Sequence, residues 1–98
     1  MQVKIHESYR KIVAVSDSDL VGQKFEEGNR QIDVRPNFYR GEERTKKEVV
    51  KILKDMQKED ATFNIVGEES VEAALEAGVI SESRVIKINS IPIALVLM

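Results

Sequence analysis

The chain has 98 residues with 15 Lys or Arg against 17 Asp or Glu, a formal net charge of −2, one histidine and no cysteine. The missing cysteines exclude a disulfide framework, thiolate metal sites and thiol catalysis. The overall charge supplies no positive field for nucleic acid, and the length reads as one globular domain over residues 1–98.

Charge is unevenly spread. Up to Lys58 there are 13 Lys or Arg against 10 Asp or Glu, a net of +3; from Glu59 onward there are 2 against 7, a net of −5. Such polarity bears on partners and fields rather than on fold. No basic head with an apolar core opens the chain, so no signal peptide is expected. The longest apolar run, Ile91–Met98, is too short to span a bilayer. A cytoplasmic protein without a membrane partner is the expectation.

In chain order, Val3 and Ile5 alternate with Lys4 and His6, the period of a strand. Lys11–Ser16 supplies a second strand, and Ser8–Arg10 reads as the tight connection of a hairpin. Ile12–Val15 is apolar throughout, as in a strand covered on both faces. From Ser16 to Asn29 two readings compete. One is a helix capped by Asp17 or Ser18, with Val21 and Phe25 at i, i+4, running to Glu27 with Gly28 as its stop. The other is a short turn ending near Gly22, because glycine inside a helix costs about 1 kcal/mol relative to alanine. Gln31–Val34 alternates as a strand, ended by Pro36.

Asn37–Arg44 reads as a loop into the longest helix, predicted over Glu42–Lys58. Val49, Ile52, Leu53 and Met56 form its core-facing stripe, and Lys47, Lys51, Lys54 and Lys58 line another face. Glu42 and Glu43 in the first turn suit the helix dipole. Phe63–Val66 is a short buried strand and Gly67 a turn. Glu68–Ala77 is a helix with Val71, Ala74 and Leu75 inward and Gly78 as its stop. Arg84–Ile88 and Ile91–Met98 are the last strands, joined by a turn at Asn89 and Ser90, with Pro92 at a strand start.

The order ββαβαβαββ contains two strand–helix–strand units, which favour a parallel centre, with antiparallel hairpins at the ends. The expected fold class is α/β, a single-domain mixed parallel/antiparallel sheet of about five to six strands with two to three flanking helices. The alternative is a two-layer α+β arrangement.

Strand–glycine–helix turns attract anions through free amide groups. The turn at Gly67 has one glycine, no lysine, and Glu68 and Glu69 on the dipole, so it does not fit a phosphate loop. Two readings of it stand. Either Gly67 supplies an unusual backbone angle and the glutamates stabilise the helix, or Asn64, Gly67 and Glu68 flank a cleft at a strand end. Arg35, Tyr39, Arg40 and Arg44 interleave cations with aromatics, a pattern that suits single-stranded nucleic acid or a protein interface. The competing reading anchors Phe38 and Tyr39 on the core. The lysine stripe suits phosphate contact or is a solvated face diluted by Glu48, Asp55 and Glu59. Asp17 and Glu42 add carboxylates to a cleft with Asn64 and Glu68. No calcium-loop spacing occurs. Ser–His catalysis would rest on His6 alone. No catalytic residue, metal or cofactor is assigned.

The stretches "VAVSDSDLVGQKFEEG", "FYRGEE", "NIVGEESVEAALEAGVI" and "IPIA", in this order and spacing, resemble an archaeal small-protein family catalogued as domain of unknown function 424. The resemblance spans nearly the whole chain through Asp17, Gly22, Phe25, Gly28, Phe38, Tyr39, Gly41, Glu42, Asn64, Gly67, Glu68 and Pro92. It implies an archaeal, cytoplasmic, single-domain protein and supplies no activity. The sequence departs from the family pattern at Ser16, where a cysteine is expected, and at Ile93, where a histidine is expected. The resemblance therefore implies that a thiol- or histidine-dependent activity is not shared here.

Three functional expectations follow. The first is a non-enzymatic binding module acting with RNA, a ribonucleoprotein or a protein partner, through the arginine–aromatic loop. The second is a small-molecule or metal-dependent enzyme with a carboxylate-rich cleft. The third is a homo-oligomeric scaffold, a homodimer through the C-terminal strand.

Overall fold

The computed structural model describes residues 1–97. Its main sheet holds six strands: β1 (Gln2–His6), β2 (Ile12–Ser16), β5 (Glu42–Glu43), β6 (Thr62–Val66), β7 (Ile86–Ile88) and β8 (Ile91–Val96), in the order β5-β1-β2-β6-β8-β7. A separate hairpin pairs β3 (Lys24–Glu27) with β4 (Arg30–Asp33). Three α-helices accompany them: the single turn α1 (Pro36–Tyr39), α2 (Lys46–Gln57) and α3 (Glu68–Ala77).

The sheet is mixed, as the alternating order predicts. Only β2 and β6 pair in parallel; β1 with β2, β1 with β5, β6 with β8 and β7 with β8 are antiparallel. The crossover through α3 links β6 to β7, which run in the same direction, and β8 returns antiparallel between them.

The two sheet faces carry different layers. Val3, Val13, Val15, Phe63, Ile65 and Ala94 point one way and pack under α2 and α3 with Val49, Leu53, Val71, Ala73 and Ala74. Ala14, Val66 and Ile93 point the other way and pack under the hairpin and α1 with Val34, Tyr39, Phe25 and Ile32. The continuous apolar run of β2 reflects this double cover, since Val13, Ala14 and Val15 are all fully buried.

Four expectations change. The helix capped by Asp17 or Ser18 and running to Glu27 does not form. A 3-10 turn at Ser18–Leu20 takes its place, as in the short-turn reading, and the hairpin follows. Gly28 and Asn29 make the two-residue loop, and glycine in such a loop supplies the positive φ that hairpin twist demands. Of the strand read over Gln31–Val34, Gln31, Ile32 and Asp33 lie on β4, with Val34 just past its end, and β4 pairs with β3 and not with the main sheet. The long helix begins at Lys46 rather than Glu42, because Thr45 and Glu48 form a reciprocal capping box. Glu42 and Glu43 instead pair with Val3 and Gln2 as β5.

The C-terminal strand is not the sheet edge. β8 has β6 on one side and β7 on the other, and only Ala94–Val96 run past β7. Dimerisation by pairing a free C-terminal edge therefore has little edge to use. Met98, the last residue of that predicted strand, lies outside the described residues.

Candidate functional site

The one parallel pair creates the crevice at which open α/β sheets hold ligands, beyond strand C-termini where connections depart to opposite faces. After β2 the chain turns to the hairpin side, and after β6 it turns into α3 on the other side. Asp17 follows β2 and fills this crevice. Its main-chain N–H donates to the Val66 carbonyl at 3.0 Å. Its carboxylate accepts from Ser70 N at 2.8 Å, Ser70 Oγ at 2.8 Å and Glu69 N at 3.2 Å. Asp17 is 7% exposed and Ser70 is fully buried. The amides at the start of α3 thus have an anion of the protein's own, from the neighbouring strand.

Gly67 makes that approach possible. Its backbone sits at φ 109° and ψ 158°, a region that essentially only glycine occupies. A Cβ there would stand 2.3 Å from Asp17 Cγ. The unusual backbone angle expected of Gly67 is present, and the cap comes from Asp17, with neither Asn64 nor Glu68 taking part.

The predicted carboxylate cleft does not assemble. β5, β1, β2 and β6 lie side by side, so Glu42 stands three strand spacings, roughly 14 Å, from β6. Glu42 opposes Val3 on the helix side, whereas Asn64 opposes Ala14 on the hairpin side. Glu68 is exposed at the start of α3 and Asp17 is committed to its cap. Among the described residues no three His, Asp or Glu side chains converge as metal donors.

A different set does converge beside the crevice. A depression of about 520 Å³ is lined by Ser18, Glu43, Lys46, Glu48 and Glu69 among others. Glu43 accepts from the Met1 ammonium at 2.5 Å, Ser18 Oγ at 2.6 Å and Gln2 Nε2 at 3.1 Å. The ammonium first, then the Ser18 hydroxyl, pull its carboxyl down to about 2.

The arginine–aromatic loop is dispersed. Tyr39 is 4% exposed within the hairpin-side core, and burial pushes its phenol up to about 12. Its ring offers no face to a base. Phe38 stacks on His6 with ring centroids 4.6 Å apart, and His6 Nε2 lies 2.8 Å from the Phe38 carbonyl, so the single histidine is engaged in holding this loop. Arg44 pairs with Glu42 at 2.5 Å and Glu48 at 3.6 Å. Arg35 pairs with Asp33 at 3.3 Å. Arg40 is exposed and, among the described residues, has no carboxylate within 4.0 Å.

The cations that stay together are three lysines of α2 and the one at its C-cap. Lys47, Lys51, Lys54 and Lys58 are all exposed. At 100° per residue they fall within an arc of about 60° opposite Val49 and Leu53. Lys51 pairs with Asp55 at 3.1 Å. Among the described residues Lys47, Lys54 and Lys58 have no carboxylate within 4.0 Å. Lys46 lies off this row and ties α2 to Glu72 and Glu76 of α3 at 2.5 and 3.6 Å.

Beyond the C-terminal end of α2 stands the tip of the β1–β2 hairpin, where Tyr9 is 105% exposed. Lys11 Nζ binds Glu59 at 2.7 Å, and Thr62 N donates to the Lys11 carbonyl at 2.9 Å. Tyr9 falls within Ser8–Arg10, the tight connection expected from the sequence. The signal lay in an aromatic placed where neither strand face can bury it. Asn64 is half-buried beside Leu95, and Leu95 and Ile86 are 49% and 43% exposed on the hairpin-side face that the hairpin leaves open.

A family described as "Protein of unknown function (DUF424)" matches residues 5–98. The fold is similar to the crystal structure of an uncharacterized conserved protein from Methanopyrus kandleri, with TM-score 0.86 and 20% identity over 96% of this chain and 87% of that one. At that identity the likeness concerns the fold alone. No curated protein matches the chain. No helix among the described residues is long and apolar enough to cross a membrane.

Proposed function

The chain belongs to the DUF424 family, whose description carries no activity, and on that premise we propose a non-enzymatic binding module that holds RNA by its phosphate backbone along α2. The observation that carries this reading is the row of Lys47, Lys51 and Lys54 of α2 and Lys58 at its C-cap, all exposed on one face. Backbone binding needs cations aligned on a single surface, and each neutralised phosphate releases counterions. The groups that would serve catalysis have structural tasks instead: Asp17 and Ser70 cap α3, His6 holds the Phe38 loop, and Glu48 closes the capping box. Asn64, Leu95 and Ile86 on the open half of the sheet favour a second contact, to protein, which makes a ribonucleoprotein the natural setting. In this reading residues 1–98 are one domain working in the cytoplasm of an archaeon.

The test is anisotropy of a labelled single-stranded RNA at low salt, with wild type and with the variant carrying Lys47→Gln, Lys51→Gln, Lys54→Gln and Lys58→Gln. Surface changes of this kind leave stability within about 0.5 kcal/mol each. Wild type should bind, and the variant should bind far more weakly. A wild type that fails to bind at about 50 mM salt overturns the proposal.

A further inference from the structure

We infer that the RNA on this surface is single-stranded and that an unpaired base stacks on Tyr9, an inference that rests on the RNA-binding reading above. The chain has three phenylalanines, two tyrosines and no tryptophan. Phe63 and Tyr39 are buried, Phe25 packs in the hairpin-side core, and Phe38 is stacked on His6. Tyr9 is the one aromatic with its ring wholly in water. Every base has a π-face, and aromatic platforms of this kind recognise bases that are not paired.

The tip is held in register with the lysine row. The Ser8 hydroxyl donates to the Arg10 carbonyl within the turn. The Lys11–Glu59 pair fixes the hairpin to the residue that follows Lys58. The lysines step along α2 by about 4.5–6 Å at 1.5 Å per residue, so the row runs roughly 16 Å and ends beside the tip. A single convex row touches one strand's backbone. Double-stranded RNA modules instead span two successive minor grooves.

The depression next to Tyr9, about 370 Å³, decides which part of the nucleotide enters it. Glu7, Glu59 and Asp60 line it together with Tyr9, Arg10 and Lys11. Glu59 is taken by Lys11, which leaves the carboxylates of Glu7 and Asp60. These repel a phosphate but accept hydrogen bonds from base amino groups. A base therefore fits the depression, with the backbone outside it along Arg10 and Lys58.

The experiment measures binding of a labelled oligoadenylate of about 12 nucleotides, and of a duplex of equal length, by wild type, Tyr9→Ala and Tyr9→Phe. Truncation to alanine should weaken single-strand binding about 5- to 150-fold, while phenylalanine stays within about twofold because the ring is kept. Wild-type tyrosine emission should fall on binding, and that fall should vanish in Tyr9→Phe. The duplex should bind more weakly than the single strand. Tyr9→Ala binding as well as wild type, or a duplex bound as tightly, overturns this inference and leaves lysine-row binding standing. Absence of wild-type binding to either RNA removes both.

Discussion

Replacing Gly67 with alanine should cost about 2–5 kcal/mol of folding stability. The backbone there, at φ 109° and ψ 158°, is essentially reserved for glycine, and forcing another residue into such a region costs about 1–3 kcal/mol. The new Cβ would stand 2.3 Å from Asp17 Cγ and 2.5 Å from Oδ2, so the carboxylate must leave Ser70 N, Ser70 Oγ and Glu69 N. Loss of a cap costs about 1–2 kcal/mol. Set against a net stability of about 5–15 kcal/mol, the change is visible in urea unfolding, where m is about 1–3 kcal/mol/M. A double-mutant cycle isolates the contact. In an Asp17→Ala background the clash is gone and only backbone strain remains, so the double variant should be about 1–2 kcal/mol more stable than additivity requires. A Gly67→Ala cost below about 1 kcal/mol, or strict additivity with Asp17→Ala, would refute the account of the crevice.

Two pH effects follow from named groups. Glu43 is held down to about 2 by the ammonium and Ser18, so between the ordinary carboxylate range and that value the unfolded chain binds the extra proton and stability rises with pH. Glu43→Gln should flatten this acid limb in unfolding curves taken from pH 2 to 5; an unchanged limb contradicts the assignment. Tyr39 is raised from 10.0 to about 12 by burial, so the folded state keeps its proton longer and stability falls as pH rises through that window. Tyr39→Phe should remove this alkaline loss, and a phenolate absorbance step persisting near pH 12 in the variant would argue that another group is responsible.

Much of the fold was legible because burial writes a period. The apolar run of β2, the stripe of α2 through Val49 and Leu53, and the inward face of α3 through Val71 and Ala74 were read directly from spacing and lie where that spacing puts them. The helix reading that ran to Glu27 misled because Val21 and Phe25 at i, i+4 imitate a helix stripe. In fact Phe25 opposes Ile32 across a hairpin, a pairing no local window contains. The start of α2 moved because Glu42 and Glu43 carry both a helix-dipole signal and a place on β1, and the Thr45 box decides between them.

The candidate site was less legible for the same reason. Gly67 was readable as a special backbone position, yet its partner Asp17 is fifty residues earlier in sequence, brought there by the parallel pairing of β2 and β6. Tyr39 and Arg44 looked like a recognition loop until packing buried one and carboxylates claimed the other. The lysine row was visible from spacing but could not be weighed until its exposure was known.

The most direct measurement is the salt dependence of RNA affinity. For single strands the slope of log K against log salt is about −0.7 per neutralised phosphate, so four lysines contribute about 3 to its magnitude. The account predicts that substituting Lys47, Lys51, Lys54 and Lys58 with glutamine reduces the wild-type slope by that amount. An identical slope in wild type and variant would contradict it.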